Sequence, residues 1–152
     1  MFKIEYFDFD VKYFVGDELR IMQILVNLLS NASKFTEKGE IKVTFRQMYK
    51  EDQVANIMMR VHDTGKGISR EFLSHIFRPF EQEGVEISKK YGGSGLGMAI
   101  TDQLVKLMGG EIVVDSLEGK GSDFTVFLNL PISTNQQYED KKEVVVEEFS
   151  FD

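Results

Sequence analysis

The sequence contains no cysteine and only two histidines, His62 and His75, among its 152 residues. The absence of cysteine excludes disulfide bonds, thiolate zinc sites and cysteine nucleophiles. Two histidines are too few for a histidine-rich metal centre. No apolar run reaches the roughly 18 residues of a membrane-spanning helix, and the first residues lack the basic and apolar regions of a secretory signal. These absences favour a cytoplasmic protein without direct membrane contact.

The chain also lacks a basic surplus, because its formal net charge at pH 7 is -7. Nucleic acids and anionic membranes both require a basic face, so this composition disfavours nucleic-acid binding. The acidity is concentrated at the C-terminus, where residues 133–152 hold six acidic residues against two lysines. We expect residues 1–132 to form one domain and residues 133–152 to be an acidic linker or tail, in which residues 144–146 could add an edge strand.

Hydrophobic periodicity predicts alternating strands and helices over residues 1–132, with no internal repeat. The predicted strands cover residues 2–9, 41–45, 57–61, 111–117 and 123–130. The predicted helices begin at the N-cap Asp17, at Ser69 and near Leu96, and end at Gly39, Pro79 and Gly109. The last helix carries its predicted apolar stripe at Leu96, Ile100, Leu104 and Leu107. Between the last two helices, residues 80–95 are glycine-rich, charged and aperiodic, which is typical of a mobile loop.

Polar residues of the first predicted helix form a stripe rather than a scatter. At about 100° per residue, Asn27, Asn31 and Lys34 fall within roughly 60° of one another, beside the apolar face. Amide oxygens are ligands for a hard divalent ion, and an ammonium group offsets phosphate charge. The stripe therefore indicates either a phosphate-binding surface or an ordinary solvated helix face.

A carboxylate stands at the end of the third predicted strand. Asp63 is followed by Thr64-Gly65-Lys66-Gly67-Ile68. Because a carboxylate only accepts hydrogen bonds, in a pocket it favours the exocyclic amine of adenine over the carbonyl of guanine. The glycines would let a flat base approach the backbone. The alternative interpretation is a type II turn with an aspartate cap.

A glycine-rich stretch, Gly92-Gly93-Ser94-Gly95-Leu96-Gly97, precedes the last predicted helix. Backbone amides at a helix start can bind an anion, and glycine allows its close approach. The stretch lacks the ending of a P-loop and follows a loop rather than a strand, which argues against a Walker motif and a dinucleotide fold. Upstream, the phenylalanines of IFRPFEQ either belong to the core or anchor the loop as a hinge.

In this order, NLLSNASKFT, DTGKGI, IFRPFEQ and GGSGLGMAI resemble the N box, first glycine box, F box and second glycine box of sensor histidine kinases. The resemblance covers about residues 12–132. It implies the ATP-binding catalytic domain of the GHKL superfamily, with the Bergerat fold. That fold is an α/β two-layer sandwich, in which a mixed, mostly antiparallel sheet of about five strands packs on three helices. A flexible ATP lid would cover residues 80–93.

The resemblance also implies roles for individual residues. Asn31 would coordinate Mg²⁺ at the ATP phosphates, with Asn27 supporting that site and Lys34 contacting phosphate. Asp63 would take the adenine amine, and Thr125 would hydrogen-bond near the base through water. The other implied nucleotide-binding residues are Phe35, Gly65, Gly67, Ile68, Phe80, Gly93, Ser94, Gly95, Leu96 and Gly97. Lys89 and Met98 depart from the family, which more often has arginine and leucine there, and Phe35 stands where tyrosine is frequent.

One position bears on the reaction. Where related topoisomerase, chaperone and mismatch-repair ATPases carry a glutamate one turn before the Mg²⁺ asparagine, this sequence has Asn27. A carboxamide cannot act as a general base at neutral pH, so Asn27 disfavours ATP hydrolysis and favours transfer to an external nucleophile. An ATP-driven clamp is accordingly disfavoured.

Neither His62 nor His75 resembles the phosphoacceptor of the family. We therefore expect the catalytic domain of a protein-histidine kinase, monomeric and inactive alone. Its γ-phosphate acceptor would be a histidine on a dimerisation domain that this chain does not contain, and a downstream receiver domain would be a further partner. The alternative is a degenerate module that senses ATP or docks partners without kinase activity.

Overall fold

In the computed structural model, which describes residues 2–11, 13–78, 97–133 and 148–149, a mixed sheet carries its helices on one face. The helices are α1 (Glu18–Phe35), α2 (Arg70–Leu73) and α3 (Gly97–Leu107). The strands are β1 (Phe2–Phe7), β2 (Ile41–Glu51), β3 (Val54–Asp63), β4 (Glu111–Leu117), β5 (Gly121–Pro131) and β6 (Glu148–Phe149). No helix in the described part of the chain is long and apolar enough to cross a membrane.

The strand order across the sheet is β4-β5-β3-β2-β1-β6. Only β1 and β2 run parallel, and the other neighbouring strands are antiparallel. The expectation of a mixed, mostly antiparallel α/β sandwich is confirmed for β1 to β5. The two-residue β6 adds a sixth strand at the edge of β1, and the edge strand suggested at residues 144–146 lies outside the described residues.

The core lies between the helices and one face of the sheet. Alternate residues of β5, Phe124, Val126 and Leu128, are buried there. They meet a buried face of α1 that includes Ile24 and Leu28. Each such side chain contributes about 1.5–3 kcal/mol through burial, so this layer contact fixes the position of α1 over the sheet.

The start of α1 agrees with the sequence, but its end does not. Asp17 is the N-cap, and its side chain accepts a hydrogen bond of 3.1 Å from the Arg20 N–H. The helix ends at Phe35 rather than at Gly39, because Thr36 is already extended. This early end leaves the Phe35 carbonyl open to the Lys66 N–H, which donates to it at 2.9 Å.

The helix α3 ends before Gly109 as predicted, but a different face is buried. Ile100 and Leu107 of the predicted apolar stripe are 43% and 69% exposed. The buried residues are Met98, Ala99, Thr101 and Val105. The predicted stripe is therefore wrong at Ile100 and Leu107, whereas Leu104 packs partly buried against the core. Packing against α1 buries the side of α3 that carries the Thr101 hydroxyl. The short helix predicted from Ser69 is confirmed at its N-cap but regular only over Arg70–Leu73.

Candidate nucleotide-binding site

Three of the predicted site residues, Phe35, Asp63 and Gly65, meet where α1 ends beside the ends of two central strands. Asp63, the last residue of β3, lies between Ile41 of β2 and Ser122 of β5 in the sheet register. The loop after Asp63 is tied to the end of α1 by the hydrogen bond from Lys66 to Phe35. Strand ends and helix ends thus enclose one corner of the sandwich.

Asp63 is a buried carboxylate with one oxygen unused by the protein. Asp63 is only 1% exposed, and its Oδ1 accepts a hydrogen bond of 3.0 Å from the Gly65 N–H. Its Oδ2 has no hydrogen-bond partner. Burial raises the pKa of Asp63 above its ordinary value, although the Gly65 N–H and the nearby Thr36 hydroxyl oppose this shift. The side chain is equipped to accept one further hydrogen bond from a ligand.

The glycines after Asp63 are required by close contacts between backbone segments. A Cβ on Gly65 would lie 2.0 Å from the Phe35 carbonyl oxygen, and one on Gly67 would lie 2.2 Å from that of Leu117. Gly67 also has a positive φ of 70°. These residues lock the loop against α1 and the β4–β5 turn, which is a structural reason for glycine that the sequence interpretation did not include.

The hydroxyl group beside Asp63 belongs to Ser122, not to Thr125. Ser122 opposes Asp63 in the register, is 2% exposed, and its Oγ lies 2.8 Å from Ser116 Oγ. Thr125 pairs with Arg60 on the opposite face of the sheet, so the structure does not bring it to this corner. The sequence carried the signal for Ser122, because it alternates in phase with the core residue Phe124.

The side chain of Ser116 also holds Ile68. The Ile68 N–H donates to Ser116 Oγ at 2.8 Å, and Ile68 itself is 1% exposed. Ile68 therefore forms part of the hydrophobic core below the loop. Phe35 is also nearly buried, its ring centroid 6.4 Å from that of Phe72, and Lys66 Nζ lies 5.2 Å from the Phe35 ring centroid.

The polar stripe of α1 divides into residues with different surroundings. Asn27 uses its carboxamide within the protein: Oδ1 accepts from Gln23 at 2.8 Å, and Nδ2 donates to Thr101 Oγ1 at 3.0 Å. Asn31, one turn later, has a buried Nδ2 with no partner. Lys34 is exposed. The stripe thus presents the Asn31 carboxamide and the exposed Lys34 ammonium group to a ligand. The Asn27 carboxamide is already hydrogen-bonded to α3.

Most of the unpartnered buried polar atoms lie near the C-terminal end of α1 or beside Thr36, the residue that follows it. In the described part of the chain there are four, and three of them are Asn31 Nδ2, Thr36 Oγ1 and Asp63 Oδ2. The fourth, Arg46 Nε, lies 3.4 Å from the Asp8 carboxylate and so has an ion-pair partner. Buried polar atoms are nearly always hydrogen-bonded in proteins. Thr36 Oγ1 lies beside the Asp63 carboxylate, so these two groups can satisfy each other, and all three remaining atoms are available to a polar ligand.

A sequence profile of the histidine kinase-, DNA gyrase B- and HSP90-like ATPases matches residues 16–132. The chain belongs to this ATPase family. Within the family, the sensor histidine kinase GacS of Pseudomonas protegens is 45% identical over 119 residues, which are 77% of this chain and 13% of that protein. The signal transduction histidine-protein kinase BarA of Escherichia coli K12 is 40% identical over 80% of this chain and 13% of that protein. The chain thus spans a small part of these relatives.

Solved structures of family members share the fold. The nucleotide-free catalytic domain of the histidine kinase ThkA is 30% identical, with a TM-score of 0.66 over 84% of this chain and 78% of that one. Full-length ShkA, solved in complex with AMPPNP, is 30% identical, with a TM-score of 0.67 over 87% of this chain and 26% of that one. The chain therefore has the fold of histidine kinase catalytic domains and corresponds to their ATP-binding catalytic domain.

Several family-based assignments fall outside the described residues. These are Phe80, Gly93, Ser94, Gly95 and Leu96, together with Lys89 and the predicted lid over residues 80–93. Of the F-box segment, Ile76 is 5% exposed and Phe77 packs partly buried against the core, as the core interpretation requires. Gly97, the first residue of α3, is exposed and has open space around its Cα.

Proposed function

We propose that the chain binds Mg·ATP and is the catalytic domain of a protein-histidine kinase, transferring the γ-phosphate to a histidine on a separate dimerisation domain. The observation that carries this proposal is the cluster of unpartnered polar atoms on Asn31, Thr36 and Asp63. Asp63 supplies a hydrogen-bond acceptor for the adenine amine, and Asn31 supplies a carboxamide for the metal and the phosphates. The alternative, a module that senses ATP or docks partners without transfer, requires the same pocket.

The residues have distinct roles in this proposal. Asp63 Oδ2 accepts from the adenine exocyclic amine, while Oδ1 stays fixed by the Gly65 N–H. Asn31 fits a Mg²⁺ site because its carboxamide can turn an oxygen toward the ligand space, and Mg²⁺ would neutralise charge on the phosphate oxygens. Lys34, exposed on the same stripe, adds positive charge beside the phosphates.

The surroundings of Asn27 support transfer rather than hydrolysis. Its amide is bonded at both ends and has no proton-accepting capacity for water at neutral pH. Neither histidine is suited to be the acceptor. His62 Nδ1 lies 2.9 Å from the Asp123 carboxylate, on the sheet face opposite Asp63, and His75 contacts Arg78. The acceptor would therefore come from another domain, and a receiver domain would follow in the relay.

Calorimetry with ATP, ADP and GTP tests the binding step. We expect Mg·ATP and Mg·ADP to bind and GTP to bind at least about tenfold more weakly, because Asp63 cannot donate to the guanine carbonyl. Asn31→Ala should weaken binding, whereas Ser30→Ala, an exposed neighbour on the same helix, should not. Absence of Mg·ATP binding by the wild-type chain would contradict the proposal.

The transfer step is tested with γ-labelled ATP and an added dimerisation hairpin from a GacS-like relative. Acid-labile label on the hairpin supports the kinase function, and label on neither protein despite ATP binding supports the sensing module. Label on His62 or His75 would contradict the requirement for an external acceptor. The hairpin with its acceptor histidine changed to alanine is the matched control.

We also propose that the domain ends near residue 132 and that residues 133–152 are an acidic tail. The family match ends at residue 132, and β6 pairs with β1 through only two residues. Deletion of residues 134–152 should therefore leave ATP affinity unchanged and lower the free energy of unfolding by no more than about 1 kcal/mol. Loss of ATP binding would place the tail within the functional domain.

A further inference from the structure

A directed line of hydrogen bonds joins α1 to the first turn of α3. Gln23 Nε2 donates to Asn27 Oδ1 at 2.8 Å, Asn27 Nδ2 donates to Thr101 Oγ1 at 3.0 Å, and Thr101 Oγ1 donates to the Gly97 carbonyl at 2.8 Å. Asn27 Nδ2 also lies 3.4 Å from that carbonyl. Because each group donates to the next, the bonds polarise one another in the same direction.

Thr101 is the centre of this line and has no solvent contact. Its relative exposure is 0%, and its hydroxyl both accepts and donates. The surrounding contact between the two helices is otherwise apolar, with Leu28 and Val105 also fully buried. An apolar side chain of the same shape would fill this position equally well. The buried hydroxyl therefore has a role that packing does not explain.

We propose that Thr101 is a positioning residue for the phosphate end of the nucleotide. Through Asn27 it fixes the first turn of α3 to α1, and so sets the place of Gly97 relative to Asn31, which lies one turn beyond Asn27. This inference rests on the proposed function, because it assigns the polyphosphate to the space between these two helices. In this inference Asn27 holds α3 against α1 through its hydrogen bond to Thr101, and this role needs no contact with the metal.

The substitution Thr101→Val removes the hydroxyl while keeping the shape, and Thr101→Ser keeps the hydroxyl. With the bond to Asn27 lost, Mg·ATP affinity should fall about tenfold in Thr101→Val. Adenosine, which has no phosphates and engages only the Asp63 end, should bind as in the wild type. Thr101→Ser should restore ATP affinity to within about threefold of wild type. A merely structural defect would weaken ATP and adenosine together, so the ratio of the two affinities is the readout.

Equal losses for ATP and adenosine, or an unchanged ATP affinity in Thr101→Val, would overturn the inference. Should Thr101→Val fail to fold, Thr101→Ala also removes the hydroxyl group and must produce the same split. Failure of the wild type to bind Mg·ATP contradicts the proposed function instead, whereas failure to bind adenosine alone only removes the comparison. In either case, the rate of backbone amide exchange at position 101, measured without nucleotide, still tests whether Thr101 fixes α3 to α1. Faster exchange in Thr101→Val than in Thr101→Ser supports the inference, and equal exchange overturns it.

Discussion

The proposed base end and the proposed phosphate end of the site are built in different ways. At the base end, Asp63 and Ser122 lie on adjacent central strands. Gly65 and Gly67 bring the loop backbone into close contact with the backbone of Phe35 and of Leu117. At the phosphate end, two helices meet, and polar side chains make the connection. The base end is thus fixed by atoms that cannot move independently of the sheet, whereas the phosphate end is fixed by hydrogen bonds that individual substitutions can remove.

This difference predicts where the molecule tolerates change. A Cβ added at Gly65 or Gly67 would clash with backbone carbonyl groups, and a change of side-chain rotamer cannot relieve such a clash. At the phosphate end, Asn31 is half-buried and Lys34 is exposed, so substitutions there alter ligand contacts more than packing. Substitutions of the base-end glycines should therefore affect folding, and phosphate-end substitutions should affect affinity.

The largest expected effect is that of Gly65→Ala. The new methyl group would lie 2.0 Å from the Phe35 carbonyl oxygen, so the loop must separate from α1. We expect the free energy of unfolding to fall by more than about 4 kcal/mol, as measured by denaturant titration. Gly97→Ala is the matched control, since a Cβ there meets no atom of the described residues within 4 Å. A stable Gly65→Ala variant would show that the base end is as adaptable as the phosphate end.

The second effect combines a loss of binding with a gain in stability. In Asp63→Asn, Oδ1 can still accept from Gly65, but the other end becomes an amide NH2 group, which donates hydrogen bonds and cannot accept one from the adenine amine. ATP affinity should fall about 100-fold in calorimetry. At pH 7 the variant should be more stable by about 1 kcal/mol, because an uncharged group is buried in place of a carboxylate. Equal stability of both proteins at pH 7 would contradict the account of Asp63.

The sign of this stability difference depends on pH. Because burial raises the pKa of Asp63 in the folded protein, folding penalises the charged form. The penalty is complete above the folded pKa and disappears below the ordinary value of 3.8, where the carboxyl is protonated in both states. The advantage of Asp63→Asn in melting temperature should therefore shrink as the pH falls from 7 toward 3.8. A constant difference would point to a cause other than ionisation.

The third effect is confined to the phosphate end. Asn31→Ala should lower Mg·ATP affinity by about ten- to thirtyfold while leaving adenosine affinity unchanged, because in the proposed function Asn31 acts on the metal and the phosphates and Asp63 on the base. Removal of the unpartnered Nδ2 also predicts unchanged or slightly higher thermal stability. Titrations with and without Mg²⁺ separate metal coordination from direct phosphate contact. An equal loss for adenosine would show that Asn31 supports the whole pocket.

Residues near strand ends were well predicted from the sequence. The β2–β3 hairpin and the position of Asp63 at a strand end follow from the local alternation of apolar and polar residues. The start of α1 follows from the N-cap residue Asp17. The same alternation could have placed Thr125 away from Asp63 and Ser122 beside it, but a motif resemblance was followed instead. Local period was the better guide at that position.

Features decided by the meeting of two elements could not be predicted. The buried face of α3 contains Thr101, and the apolar residues Ile100 and Leu107 are exposed. Helical period alone favours the most hydrophobic stripe, whereas the contact with Asn27 selects another one. Likewise, α1 ends at Phe35 because its carbonyl receives the Lys66 N–H, a contact between segments 31 residues apart that no local pattern contains.

The smallest expected effect is that of Lys34→Ala, at the most solvated position of the site. Lys34 is exposed and lies in the last turn of α1, so its contribution to phosphate binding is screened by water and salt. We expect ATP affinity to fall about two- to fivefold at low salt, and less than about twofold at 0.5 M salt. Lys38→Ala, an exposed lysine beyond the helix, is the control for net charge. A loss that does not depend on salt would mean that Lys34 reaches the phosphates in a desolvated contact, and the phosphate end would then resemble the base end.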